Sequence, residues 1–514
     1  MKVAQASRYV RSMNSGICYL VGAGPGDPGL LTLRGKHCLE QAQVVIYDYL
    51  SNPELLRHAP ASAEKIYVGK KAGQHTLTQD AINALLVEKT LAGHIVVRLK
   101  GGDPFIFGRG GEEADALAEA GCKFEIVPGI SSAIAGPAYA GIPVTHRGHN
   151  TALTIFTGHE DPSKPESSLD YAAIARTPGT KVMLMGVERL ADISASLRDG
   201  GMAAETPVAL VRWATTGRQE TLVGTLGDIA GKAASEGFKA PAVAVLGEVV
   251  NLRPTLNWFE SRPLFGKRIA VTRTRKQAGV LIDALRALGA DAYELPTIRI
   301  EPPENKREFY VLVKDAHTYD WVIFTSPNGV DAFFEAFYAL YKDARSIGGV
   351  RIAAIGPATA ERVRHYHLDV DLQPEKYVAE EIIKSLQEET TVENLKILLA
   401  RAENAREVLA TELTRLGAIV DEAIAYRTVP ETDDVSGGIA RFREEGADVV
   451  TFTSSSTAEN FVALKLPLPA HLKTASIGPI TSATMRKLGL DVDIEAAVHD
   501  IPGLVQAIRD ALAE

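Results

Sequence analysis

The chain has little cysteine, few aromatic residues and no excess of positive charge. Three cysteines, Cys18, Cys38 and Cys122, stand in 514 residues, and no two make a C-x-x-C pair. So sparse and odd a set supports neither a disulfide framework nor a cysteine zinc site, and reads as buried thiols in a reducing compartment. Aromatic residues make up 6% and the formal net charge is -9, with no run of lysine or arginine. That excludes a basic face for nucleic acid or anionic lipid. One uncharged stretch, Ile126 to Thr145, invites reading as a membrane span, but it holds Pro128, Pro137, Pro143, Gly129, Gly136 and Gly141. Such breakers leave backbone groups unbonded in lipid. The apolar stretch from Ile17 is interrupted by Gly22, Gly24 and Pro25, so no signal-peptide core forms. A soluble, cytoplasmic protein is expected.

Glycine (44) and proline (26) are plentiful, and short apolar runs alternate with amphipathic segments. This is the pattern of an α/β protein. At about 150 residues per unit the length suggests three or four domains. In the first half strands are predicted at 16–21, 44–47, 95–99, 124–127, 154–157, 182–185, 208–211 and 242–246. Helices are predicted at 78–91 and 111–120. Residues 1–15 read as a tail, 16–260 as one domain, 261–266 as a linker and 267–514 as another. Residues 1–262 hold 26 Lys+Arg and 26 Asp+Glu, so the remaining 29 and 38 carry the whole deficit of nine.

The second half repeats itself. Arg273 and Arg401, Gly289 and Gly417, Pro302 and Pro430, and Thr325 and Thr453 are each 128 residues apart. Gly356 and Gly478, both in Ile-Gly-Pro, are 122 apart. Two similar α/β lobes are expected. The spacing alone does not assign strands to lobes, because chain exchange would preserve it.

Three glycine-bearing turns stand out in the first half. Gly22-Ala-Gly-Pro-Gly-Asp-Pro-Gly29 follows a strand, but a dinucleotide fingerprint needs its third glycine where Asp27 stands. Asp48, ending the next strand, still suits a nucleotide-like ligand, so a dinucleotide-dependent reductase stays as an alternative. Val97 to Gly111 surrounds Asp103 and Arg109 with glycines, which lets backbone N–H groups approach a ligand. Asp103 suits ribose hydroxyls or an ammonium group, and Phe105 with Ile106 a flat base. Val127-Pro-Gly-Ile-Ser-Ser132 is a third turn, with free hydroxyls.

These stretches, with VVIYD, VGKKAG, AGIPVTHR and VALVRWATT, closely resemble uroporphyrinogen-III C-methyltransferase of the tetrapyrrole methylase family over residues 16–260. The resemblance implies two α/β subdomains with a cleft for S-adenosylmethionine, S-adenosylhomocysteine as product, and double methylation of uroporphyrinogen III to precorrin-2 for sirohaem or cobalamin. Carried over by position, Pro25, Gly101, Gly102, Asp103, Ile106, Ser131, Ser132, Met185 and Ala214 contact the donor. Trp213-Ala214 stands where relatives often show Asn-Gly. Asp48 and Lys70 take acid/base roles, and Arg98 and Arg109 are carboxylate partners or structural supports. The chemistry is a carbon nucleophile meeting a sulfonium methyl, so alignment, desolvation and one proton acceptor suffice. The resemblance implies neither a metal nor NAD, and a homodimer formed through this half. Some relatives carry an NAD-dependent dehydrogenase and chelatase region ahead of the methylase; with the first motif at Gly22, the expected end product is precorrin-2.

Residues 264–514 resemble uroporphyrinogen-III synthase through VTRTR, FTSPNGV, IGPATA, LLARAENAR, FTSSST and IGPITSA. That family has two flavodoxin-like lobes, the first interrupted by the second, and closes hydroxymethylbilane into a ring with inversion of the last pyrrole. The substrate's own pyrrole nitrogen expels the hydroxyl, so the protein mainly holds a polyanion curled. Helix N-termini behind Thr325-Ser326, Gly356, Thr453-Ser454 and Gly478, with Arg273, Arg401 and Arg406, suit carboxylates. Tyr426 matches the family's cleft tyrosine and is the candidate proton donor. One half makes what the other consumes. A non-catalytic bilobed sensor module is the alternative for the second half.

Overall fold

A computed structural model describes residues 16–69, 77–159, 169–272, 275–374, 379–405, 407–431, 434 and 437–512. Near-continuous apolar runs mark strands buried on both faces. β1 (Ile17–Gly22), β2 (Val44–Tyr47), β3 (Glu64–Tyr67), β4 (Ile95–Lys100) and β5 (Lys123–Val127) form a parallel sheet in the order β3-β2-β4-β1-β5. From the neighbouring strands β4 and β1 the chain goes on in opposite directions along the sheet, β1 leading to β2 and β4 to β5. That divergence makes the topological switch point where α/β sheets place ligands.

A second sheet joins β6 (Leu153–Thr157), β7 (Thr180–Leu184), β8 (Pro207–Arg212), β9 (Glu220–Thr225) and β10 (Ala242–Leu246) in the order β6-β7-β10-β8-β9. Only β6 and β7 pair in parallel. β2 and β10 have the bounds that the apolar runs predict, and β7 begins two residues earlier, at Thr180. β3 and β9 are missing from the sequence reading. Both are edge strands that mix polar and apolar residues (Glu-Lys-Ile-Tyr and Glu-Thr-Leu-Val-Gly-Thr), so neither shows a continuous apolar run.

The second half contributes β11 (Arg268–Val271), β12 (Asp291–Glu294), β13 (Ile298–Glu301), β14 (Trp321–Phe324), β15 (Arg351–Ala354), β16 (Lys396–Ala402), β17 (Ile419–Pro430), β18 (Val449–Phe452), β19 (Lys473–Ser476) and β20 (Ile494–Glu495). One sheet runs β12-β11-β18-β19-β20 and the other β13-β17-β16-β14-β15. The lobes therefore cut across the repeat: β11, flanked by β12, pairs with β18 of the second copy, and β16, flanked by β17, pairs with β14 of the first. The antiparallel ribbon β13/β17 obeys the same symmetry. Arg299 faces Val429 and Glu301 faces Arg427; adding 128 to 299 and subtracting it from 429 turns the first pair into the second.

Aromatic packing holds the inserted lobe, where Phe324, Phe333, Phe334 and Phe337 are fully buried around β14 and the helix Pro327–Leu340. Each such side chain contributes about 1.5–3 kcal/mol by leaving water. The two halves meet closely. Gly266 N donates to Gly217 O at 3.1 Å, and a Cβ at Gly217 would lie 2.2 Å from the Ala290 carbonyl carbon. Arg286 bonds both oxygens of Glu54 across the junction at 2.6 and 2.5 Å. Among the described residues no helix is long and apolar enough to cross a membrane.

Candidate active sites

β1 and β4 end side by side, and their loops are stitched together. Gly102 N donates to Gly24 O at 2.7 Å, and Gly24 N to Gly102 O at 3.2 Å. A Cβ on Gly129 would stand 2.3 Å from Gly102 O and 2.6 Å from Gly22 Cα, so the three turns converge only without side chains. Asp103 pins them: Oδ1 accepts from Phe105 N at 2.8 Å and Oδ2 from Gly129 N at 2.9 Å. Opposite lie the loops that follow β7 and β8 and the one that precedes β10.

Between the two sheets is a cavity of about 1250 Å³, larger than the ~300–1,000 Å³ of an ordinary small-molecule site. Pro25, Gly101, Gly102, Asp103, Ile106, Ser131, Ser132, Met185 and Ala214 all line it, as do Asp48, Arg98 and Arg109. Of the eight non-glycine residues with positive φ among those described, five line this cavity: Phe107, Arg109, Met185, Trp213 and Thr215. Such backbone costs of order 1–3 kcal/mol per residue and gathers at functional sites. Apolar Pro25, Ile106, Met185 and Ala214 beside the carboxylate of Asp103 and two serine hydroxyls fit a donor with a flat base, a ribose and a cation.

The alternation of β4 puts Arg98 and Lys100 on one face, where both reach Glu113 in the helix Gly110–Glu119. Glu113 Oε1 accepts from Lys100 Nζ at 2.7 Å, Arg98 Nε at 3.1 Å and Gln79 Nε2 at 3.2 Å. Arg98 also donates to Asp48 Oδ2 at 2.9 Å, while Asp48 Oδ1 accepts from Leu50 N at 3.1 Å. Burial, then the adjacent Arg98, pushes the Lys100 ammonium below its ordinary pKa. Arg109, at the cavity's exposed rim, pairs instead with Glu112 at 2.6 Å. Lys70 lies outside the described residues.

In the second half the anticipated turns are helix N-termini. Ser326 caps Pro327–Leu340, Gly356 precedes Pro357–His365, Ser454 caps Ser455–Ala463 and Gly478 precedes Pro479–Lys487. Thr325 and Thr453 directly follow β14 and β18. Ser326 Oγ meets the Tyr426 hydroxyl at 3.0 Å, so residues 100 apart in sequence share one hydrogen bond. Arg401 is buried and its guanidinium is engaged by Glu422 and the carbonyls of Ala402 and Ala405. Arg273 and Arg406 lie outside the described residues.

Residues 18–230 match the family model of tetrapyrrole (corrin/porphyrin) methylases, and residues 279–506 that of uroporphyrinogen-III synthase HemD. The porphyrin biosynthesis protein HemD of Ruminiclostridium josui is 37% identical over 480 residues, 93% of this chain and 95% of that protein. The chain belongs to both families, joined in one polypeptide. A uroporphyrinogen-III C-methyltransferase of Bacillus subtilis is 43% identical over 363 residues, 71% of this chain and 74% of its own. An S-adenosyl-L-methionine-dependent uroporphyrinogen III methyltransferase of Methanosarcina barkeri is 53% identical over 245 residues, 48% of this chain and 96% of that one.

Within the methylase half the sequence reading missed Glu113, Lys100 and Arg218. Glu113 and Lys100 had a signal: a Glu in the first turn of a helix that follows an Arg-x-Lys strand is placed to meet both cations. Arg218 had none, because what surrounds it comes partly from the synthase half.

Proposed function

We propose that the chain catalyses two consecutive steps of tetrapyrrole synthesis: closure of hydroxymethylbilane to uroporphyrinogen III by residues 267–514, and its double methylation to precorrin-2 by residues 16–260. What carries the methylation reading is that every residue assigned to the donor borders one cavity, together with Asp48 and Arg98. S-adenosylmethionine supplies, when bound, an electrophilic methyl group on a sulfonium cation. Pro25, the Gly101-Gly102-Asp103 turn, Ile106, Ser131, Ser132, Met185 and Ala214 hold it and keep water from it. Each methyl arrives as a cation equivalent, so the ring must shed a proton; Asp48, aimed by Arg98, accepts it, with Lys70 as the second acid/base group. The scheme uses neither a metal ion nor NAD, and turnover should be indifferent to chelators.

In the synthase half, the helix N-termini at Ser326, Gly356, Ser454 and Gly478 would hold carboxylates of the linear substrate, and Tyr426 would protonate the departing hydroxyl. Tyr426→Phe is expected to lower the kcat of ring closure about tenfold, below the ~100–10,000-fold usual for a general acid because the pyrrole nitrogen also pushes. KM and methyl transfer should hold. An unchanged kcat would leave Tyr426 a packing residue. The same resemblance carries a homodimer through the methylase half and a cytoplasmic location, to be checked by light scattering and cell fractionation.

The deciding experiment feeds hydroxymethylbilane to the full chain with and without S-adenosylmethionine and follows mass and absorbance. Uroporphyrinogen III should accumulate without the donor and precorrin-2 with it. No ring closure would reduce the second half to a binding module, and NAD(P)H binding by fluorescence would favour the reductase alternative.

A further inference from the structure

The cavity does not end at the methylase half. Its far wall belongs to the synthase half, through Arg286, Asp291, Tyr293 and Arg441. Arg218, in the loop after β8, stands where the two halves meet. Its guanidinium carbon lies 3.8 Å from the centroid of the Trp213 ring, which shields the cation from that side. Trp213 is itself held in left-handed backbone at φ 47, next to Ala214 of the donor site.

Arg441 is satisfied, pairing with Asp291 and, at 2.9 Å, with Glu445 Oε2. Arg218 reaches the same Glu445 only at 3.8 Å, through Oε1. Among the described residues no acceptor stands at hydrogen-bond distance from the Arg218 guanidinium. Burial first, and Arg441 next, hold its pKa below the usual arginine value. A partly buried cation beside an aromatic ring, whose nearest carboxylate, Glu445, is beyond hydrogen-bond distance and shared with a second arginine, keeps N–H donors open to an anion in the cavity. A planar fork of N–H donors is the partner of a carboxylate.

Resting on the proposed methylation of an octacarboxylate macrocycle, we propose that Arg218 binds a peripheral carboxylate of the methyl acceptor, and that Glu445 and Arg441 of the synthase half set where that guanidinium stands. The methyl-acceptor site is thus shared between the halves. The donor also carries a carboxylate, and the test separates the two sources.

Arg218→Met in the full chain should raise the KM for uroporphyrinogen III at least fivefold. The kcat of methyl transfer, the affinity for S-adenosylmethionine by calorimetry, and ring closure should all stay within twofold. Arg218→Lys should recover part of the loss. Glu445→Gln, which leaves the arginine in place but unpositioned, should shift the same KM by a smaller factor. An unchanged KM in Arg218→Met overturns the proposal. Weaker donor binding with unchanged KM overturns it too, giving the carboxylate to the donor. A parallel fall of melting temperature and both activities would make Arg218 a strut between the halves and also overturn it. Inactivity of the wild type on uroporphyrinogen III would remove the functional reading itself, whereas an indifferent Arg218→Met in an active enzyme removes this inference alone.

Discussion

Asp103→Ala abolishes methyl transfer and leaves ring closure intact: that is the expected result of the most informative substitution in the chain. Asp103 spends one oxygen on Phe105 N at 2.8 Å and the other on Gly129 N at 2.9 Å. It thereby ties the loop after β4 to the turn after β5. Hydrogen bonds to a charged group contribute about 1.5–3 kcal/mol each, and each 1.36 kcal/mol off the barrier is tenfold in rate. Losing both, with the donor contact, should cut kcat/KM for methylation at least ~100-fold. Ring closure rests on the sheets formed by β11 to β20, which contain none of these loops. Asp103→Asn, which keeps one acceptor and the shape, should fall between. A parallel loss of both activities would mean that the two sites do not work independently.

The second large effect is on stability. Glu113 is fully buried, and its one oxygen compensates Arg98 and Lys100, which are nearly as buried. Its other oxygen, Oε2, has no hydrogen-bond partner among the described residues. Removing one member of a buried ionic group costs about 3–5 kcal/mol because the rest stays uncompensated. Glu113→Ala should therefore destabilise the methylase half by that amount in urea titration, with the synthase half's transition in place. The deficit should also depend on pH. Lys100 already has a pKa below its usual value, by burial and by Arg98, while Glu113 pulls it up. Without Glu113 the pKa drops further, so over the widened window up to about 10.4 the unfolded chain binds more protons than the folded one. Stability in that window rises with pH. The variant's deficit should be greatest in mildly acidic buffer and shrink as the pH climbs towards that of free lysine. A constant deficit would mean that Lys100 does not titrate with the fold.

Much of the site was legible locally because its geometry is local. The turns at Gly22, Gly101 and Gly129 need residues without side chains where backbones cross, and such needs show as glycine at fixed offsets from a strand end. The N-caps Ser326 and Ser454 show for a similar reason: a hydroxyl before a helical run satisfies a donor three residues on. The Ser326–Tyr426 contact, the ties of Arg401 to Glu422 and the surroundings of Arg218 were not legible. Each depends on a partner brought near by folding, at 100 residues for the first. Edge strands β3 and β9 stayed hidden because one open side relaxes the demand for apolar residues.

The amino-acid sequence by itself determined that the second half is a duplication, since four residue pairs keep a spacing of 128. It also marked which turns of the first half meet at the cavity, since those turns carry their glycines and polar groups within a few residues. Only the tertiary structure decided how the two copies share their strands. Parallel partners here have the same apolar character in either copy, so β11 could pair with β14 or with β18 at similar local gain. The choice falls to the whole chain. β13 must run antiparallel against the end of β17, and that ribbon carries the chain from one lobe to the other. With it in place, β12-β11 meets β18-β19 and β17-β16 meets β14-β15. The edge strand β12 is then left facing the methylase cavity, where Asp291 and Tyr293 help to close it.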